Sequence, residues 1–128
     1  MTTANQAATD PVGAELRLIV RAGATLLPQL AAAVERCRTE PDPGRDLARA
    51  CGALSSAYNR LIEQLHLLPA SPMTERLTLL LTHELRIVEE ATLLAFRPHD
   101  HRWTALARAF GDGLTASADE LLLLAARL

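Results

Sequence analysis

Apolar residues recur along this chain at steps of four and three, and the pattern breaks at four places. In the first stretch Val12, Leu16, Ile19, Gly23, Leu26, Leu30, Ala33 and Cys37 keep that rhythm. Leu47, Cys51, Leu54, Tyr58, Leu61, Leu65 and Leu68 repeat it in the second. The third carries Met73, Leu77, Leu80, Leu81, Ile87, Val88, Ala91 and Leu94, and the fourth Trp103, Ala107, Phe110, Leu114, Ser117, Leu121, Leu124 and Leu128. Such spacing gathers the apolar side chains on one face of a helix, as in the seam of packed helices. The breaks have helix-start chemistry. Asp10-Pro11, Asp42-Pro43 and Ser71-Pro72 each pair a capping side chain with a proline already set for the first turn, and Pro98-His99-Asp100 makes the fourth break.

The pattern predicts helices over about 11–39, 43–68, 72–97 and 100–128. Connections this short force neighbouring helices to run in opposite directions. The expected fold is therefore all-α, an up-down-up-down four-helix bundle over residues 10–128, preceded by a frayed tail over 1–9. Gly23 and Pro28 predict a kink in the first helix, because Pro28 has no N–H for the carbonyl of Ala24. Gly111 and Gly113 weaken the middle of the fourth.

Composition narrows the picture. Apolar residues make up 49% of the 128 and aromatics only 3%, so the core is aliphatic and one domain of this length can bury it. No β-branched run or Asn-Gly turn signals a strand. A net charge of -2 argues against a nucleic-acid partner, which calls for a basic face. All thirteen basic residues are arginine, which removes lysine chemistry such as a Schiff base. The first nine residues lack the basic and apolar regions of a signal peptide, and the longest uninterrupted apolar run, 121–126, is too short to span a bilayer. The expectation is a cytoplasmic protein with no membrane association; the Ala, Leu and Arg bias suggests a bacterial genome. Cys37 and Cys51 straddle the first turn with an axial offset of roughly 9 Å at 1.5 Å per residue. A disulfide needs Cα atoms within about 7 Å. Two buried, reduced thiols are expected.

Glu84 falls in the middle of the third apolar arc, where a carboxylate is costly unless paired or protonated. Tyr58, Ser117, Gly23 and Gly113 fall at the same height. These five residues define a candidate small-molecule pocket between the helices, or alternatively a polar network that specifies packing. Burial predicts a raised pKa for Glu84, and a hydrogen bond from Tyr58 or Ser117 would oppose it.

Other polar groupings carry less chemistry. Glu63 and His66 have the Glu-x-x-His spacing of di-iron bundles, but the chain holds no second such pair. His99, Asp100 and His101 crowd one turn, where Asp100 has a role as a cap. No metal or cofactor is expected. His83-Glu84-Leu85-Arg86 resembles the opening of the H-box of sensor histidine kinases. The resemblance implies a phospho-acceptor role for His83 and an acid/base role for Glu84. It covers four residues, and Ile87-Val88 stands where the family has Thr-Pro.

Finally, the chain is more apolar than one seam per helix requires. Leu18, Leu67, Leu79, Leu93 and Leu123 lie outside the arcs, and Leu79, Leu85, Leu93 and Phe96 wrap around the third helix. A helix apolar nearly all round is covered on more than one side. Leu79, Leu85, Leu93, Phe96 and Leu123 are therefore the expected interface residues. The function read from the sequence is non-catalytic association, as a homodimer, an adaptor or an accessory protein for a partner chain. Its two rivals are a ligand-binding bundle around Glu84 and histidine phosphotransfer through His83.

Overall fold

The chain is all-α. The computed structural model describes residues 10–39, 44–96, 116–117, 119–124 and 126–127, with the side chains at 38, 39, 44 and 94–96 excepted. Three helices are α1 (Pro11–Thr39), α2 (Gly44–His66) and α3 (Pro72–Phe96). All the described residues within 116–127 are helical too. Asp42, Pro43, Trp103, Phe110, Gly111, Gly113 and the His99–His101 turn lie outside the described residues, as do the side chains of Leu94 and Phe96.

The expected caps form where they can be seen. Asp10 Oδ1 accepts the Gly13 N–H at 3.0 Å, and the Asp10 carbonyl accepts the Ala14 N–H at 3.1 Å. These satisfy amide donors that the first turn of a helix leaves open. At α3 the cap is reciprocal. Ser71 Oγ accepts the Thr74 N–H at 3.1 Å, and Thr74 Oγ1 accepts the Ser71 N–H at 2.8 Å. That is the capping-box exchange, with Thr74 in the place usually held by Glu or Gln. The end of α2 tightens instead: Leu67 and Leu68 N–H groups bond back three residues, to Gln64 and Leu65. Pro69 follows, without an N–H to continue the helix.

The turn from Leu67 to Ser71 sends α3 back along α2, its most extensive partner. Leu65 and His66 lie beside Thr74, Thr78 and Leu79, while Cys51 near the other end of α2 meets Thr92. The first turn of α1 lies against the last turn of α2, where Pro11 and Val12 share a cleft with Gln64, Leu67 and Leu68. Farther along α1, Cys37 Sγ sits 3.8 Å from the Ala91 carbonyl of α3. Arg76 pairs with Glu120, which draws the 116–127 residues onto the start of α3.

The seam of α2 is buried as read, from Leu47 through Leu65, with Leu68 half-buried at the end. In α3 Leu77, Leu80, Leu81, Ile87, Val88 and Ala91 are buried, and so are Ser117, Leu121 and Leu124 at four-three spacing. In α1 Leu16, Ile19, Gly23, Leu30, Ala33 and Cys37 are buried as read, Val20, Leu27 and Val34 join them, and Val12 and Leu26 are half-buried. The buried stripe is wider than one seam because α1 packs on both α2 and α3.

The helix also runs without interruption through Pro28, whose ring is exposed. Pro11–Cys37 is long and apolar enough to cross a membrane by length and composition. Here its apolar face packs on α2 and α3, and a core helix meets the same criteria.

Candidate functional site

Two features of the described residues stand out: a buried acidic pair at mid-height and an apolar end. The pair comes first. Glu84 on α3 and Tyr58 on α2 are both 0% exposed. Each sits in the middle of its helix's apolar arc, so the amphipathic fold carries both into the α2–α3 seam. Their neighbours along the seam are aliphatic: Leu54 and Leu61 on α2, Leu80, Leu81, Ile87 and Val88 on α3.

Both carboxylate oxygens of Glu84 and the Tyr58 hydroxyl lack a hydrogen-bond partner among the described residues. The phenol stands near enough to act on the carboxylate, yet the two do not meet hydrogen-bond geometry. Burial pushes the Glu84 carboxyl from its ordinary 4.5 up to about 7, and the Tyr58 hydroxyl opposes that shift. Burial also raises the Tyr58 phenol, and the facing Glu84 raises it further. At neutral pH the pair is a phenol facing a half-protonated acid. It can hold or release one proton.

Ser117 is buried as well. Gly23 is not an opening in the packing. A Cβ built there would meet Leu81 Cδ2 at 3.4 Å and Leu121 Cδ2 at 3.6 Å, so leucines from two directions already occupy the space. Three clefts lined by described residues lie at one end of the molecule, and Glu84 lines none of these three. Gly113, the fifth residue of the expected pocket, is outside the described residues.

That end is the second feature. It contains the start of α1, the α2–α3 turn and the last described residues. An open cleft of about 420 Å³ runs between Leu65, Leu68 and Ala70 on one side and Thr74, Thr78 and Leu79 on the other. A second, of about 330 Å³, lies across the turn between Val12 and Leu67. Leu67 itself is 85% exposed and Leu79 is 62% exposed.

The expected interface is thus rearranged. Leu79, Leu93 and Leu123 are exposed as read, and Leu18 and Leu122 with them. Leu85 is half-buried and packs on the core. Leu79 and Leu93 do not form one stripe. Fourteen helical residues separate them by about 21 Å, and His83, Arg86, Glu89 and Glu90 stand exposed between. Leu67, not among the expected interface residues, is the most exposed large apolar side chain described. Its signal was present: it follows the last seam turn of α2 and precedes Pro69.

His83 is exposed at the middle of α3, and Glu84 beside it points the opposite way, into the core. The H-box likeness therefore puts its histidine at the surface without its acid. Glu63 and His66 are both exposed. Among the described residues no three His, Cys, Asp or Glu side chains gather as a metal site. Cys37 and Cys51 are reduced and buried; burial pushes the Cys51 thiol up, against smaller opposing effects of Thr92 and Arg36. No protein-family model, curated protein or solved structure matches the chain.

Proposed function

We propose that this protein works by association, as a cytoplasmic up-down-up-down four-helix bundle whose apolar end docks on a second copy of itself. The observation that carries the reading is the α2–α3 turn. Leu67 is almost wholly exposed there, and apolar clefts lie to either side. Single exposed leucines are ordinary on a soluble protein. Leu67, Leu79, Pro11 and Pro69 exposed around one turn make a patch, and patches mark interaction surfaces. A self-complementary patch on a two-fold axis closes a dimer, the commonest symmetric assembly.

Sedimentation equilibrium tests it. A dimer at micromolar concentration is expected for the wild type, and a monomer for the Leu67→Glu, Leu79→Glu double variant with its helical circular dichroism unchanged. A wild type that stays monomeric removes the self-association reading and leaves a different partner chain for that end.

The rival readings draw on single observations. Exposure of His83 is what phosphotransfer requires, and acetyl phosphate should then label the wild type and not His83→Gln. The orphaned atoms of Glu84 and Tyr58 favour a ligand pocket, although neither residue lines any of the three clefts. On that reading Glu84→Leu destroys binding; without a ligand it simply fills the seam.

A further inference from the structure

We infer that the Glu84 carboxyl, enclosed against Tyr58, is a proton-operated latch in the α2–α3 seam, shut when it is neutral and released when it ionises, the Tyr58 hydroxyl offsetting only part of the cost of the buried charge. The inference stands on geometry and is independent of the dimer. Three polar atoms are enclosed at one point in an aliphatic seam, and none has a described partner. A neutral carboxyl carries an O–H donor as well as an acceptor, so a small rotation lets it share a hydrogen bond with the Tyr58 hydroxyl. An ionised carboxylate in the same place has two charged oxygens, one phenol and, among the described residues, no cation beside it. Buried groups in that position either lose the charge or lose the burial.

Among the described residues no other group is placed to take over. On α2, Leu54 and Leu61 flank Tyr58. α1 contributes apolar residues to the core at this height, Leu27 and Leu30 among them, and no buried acid or base. Among the described residues of 116–127 the buried ones are Ser117, Leu121 and Leu124, of which Ser117 alone is polar; Asp119 is exposed and Glu120 is committed to Arg76. On α3 itself His83, Arg86 and Glu89 face solvent. The raised carboxyl agrees with this placement and sets the working range near neutrality. Release loosens the most extensive helix–helix contact among the described elements, because the latch lies at its centre.

The experiment is backbone hydrogen exchange of α2 and α3 in the full chain across pH 5 to 9, corrected for intrinsic exchange, in the wild type and in Glu84→Gln. Glu84→Gln keeps the shape and every other titrating group, so the difference between the two isolates one carboxyl. The latch predicts opening that grows up to tenfold per pH unit in the wild type as its carboxyl ionises, the limit for one released proton, and does not grow in Glu84→Gln. Parallel curves overturn it. Should Glu84→Gln fail to fold, carbon-13 shifts of the Glu84 carboxyl in the wild type decide alone. A midpoint near neutrality that coincides with the rise in α2–α3 exchange supports the latch. A midpoint in the ordinary carboxylate range, or one with no accompanying rise in exchange, overturns it.

Discussion

At the scale of single residues, Glu84 ties the stability of the fold to pH. Its folded pKa is raised from 4.5 to about 7. The folded state therefore holds the proton more tightly than the unfolded chain. Stability from this group is complete below about pH 4.5, declines as pH rises, and is gone above about 7. The size is on the order of 3 kcal/mol at about 1.4 kcal/mol per pKa unit. Urea denaturation at pH 5 and pH 8 should show wild type losing stability relative to Glu84→Gln. Tyr58→Phe removes the hydroxyl that holds the carboxyl down, so the Glu84 titration midpoint should move higher still, as its carbon-13 shift will report. Both residues were legible in the sequence, because an acid and a phenol sat on seam positions. That they face each other without a good hydrogen bond was not, since spacing gives position along a helix and not the last ångström between two helices. Gly23 belongs to the expected pocket, yet Leu81 and Leu121 close the space beside it to about the size of one methyl, which no residue of α1 announces. Both contacts lie at ordinary van der Waals range, so Gly23→Ala should fold and gain up to about 1 kcal/mol from helix propensity. A loss of stability in that variant would show that the Leu81 and Leu121 side chains cannot adjust to the added methyl.

Among elements, the ends were easier to read than the faces. Capping depends on residues three apart in sequence, and Asp10 and Ser71 cap as their types require. Ser71→Ala should cost about 1 kcal/mol, the usual loss of a cap. Thr74→Val should cost a comparable amount despite a better apolar fit, because it strands the Ser71 N–H that Thr74 Oγ1 accepts. Thermal melts of the two variants and their double mutant separate these effects: a coupled pair loses less together than the sum of its parts. Thr74 went unread because an apolar search passes over a hydroxyl that is buried to satisfy a backbone donor. The seam of α2 was legible throughout, since every step in it falls on one face over 23 residues. That of α1 was legible at Leu16, Ile19, Gly23, Leu30, Ala33 and Cys37, but a single seam misses Val20, Leu27 and Val34, which widen the buried face of a helix packed on two others. Leu47 and Leu77 have no exposure at all, and truncation of either to Ala should cost about 2–5 kcal/mol.

For the whole molecule, excess apolarity was visible in the sequence but its location was not. Leu79 and Leu93 look like one stripe on a helical wheel, which ignores distance along the axis. In space the polar run from His83 to Glu90 divides them, and the turn brings Leu79 into a cleft with Leu65 and Leu68 instead. If the end around Leu67 is the interface, Leu93→Glu should leave the assembly state unchanged while Leu67→Glu alone weakens it. Sedimentation of the two single variants distinguishes an end-on dimer from a side-on one.

The two sealed thiols provide a clock for the far end of the molecule. Cys37 lies against Ala91 and Cys51 beside Thr92, at the opposite end of α3 from the Leu67 turn. A reagent that consumes thiols has to wait for the packing there to part, because both thiols are fully buried. Its rate of capture thus counts excursions of that half of the chain. Dimerisation at the Leu67 end should slow capture only through the stability of the fold as a whole. A local rearrangement of the far end would hasten it at every protein concentration.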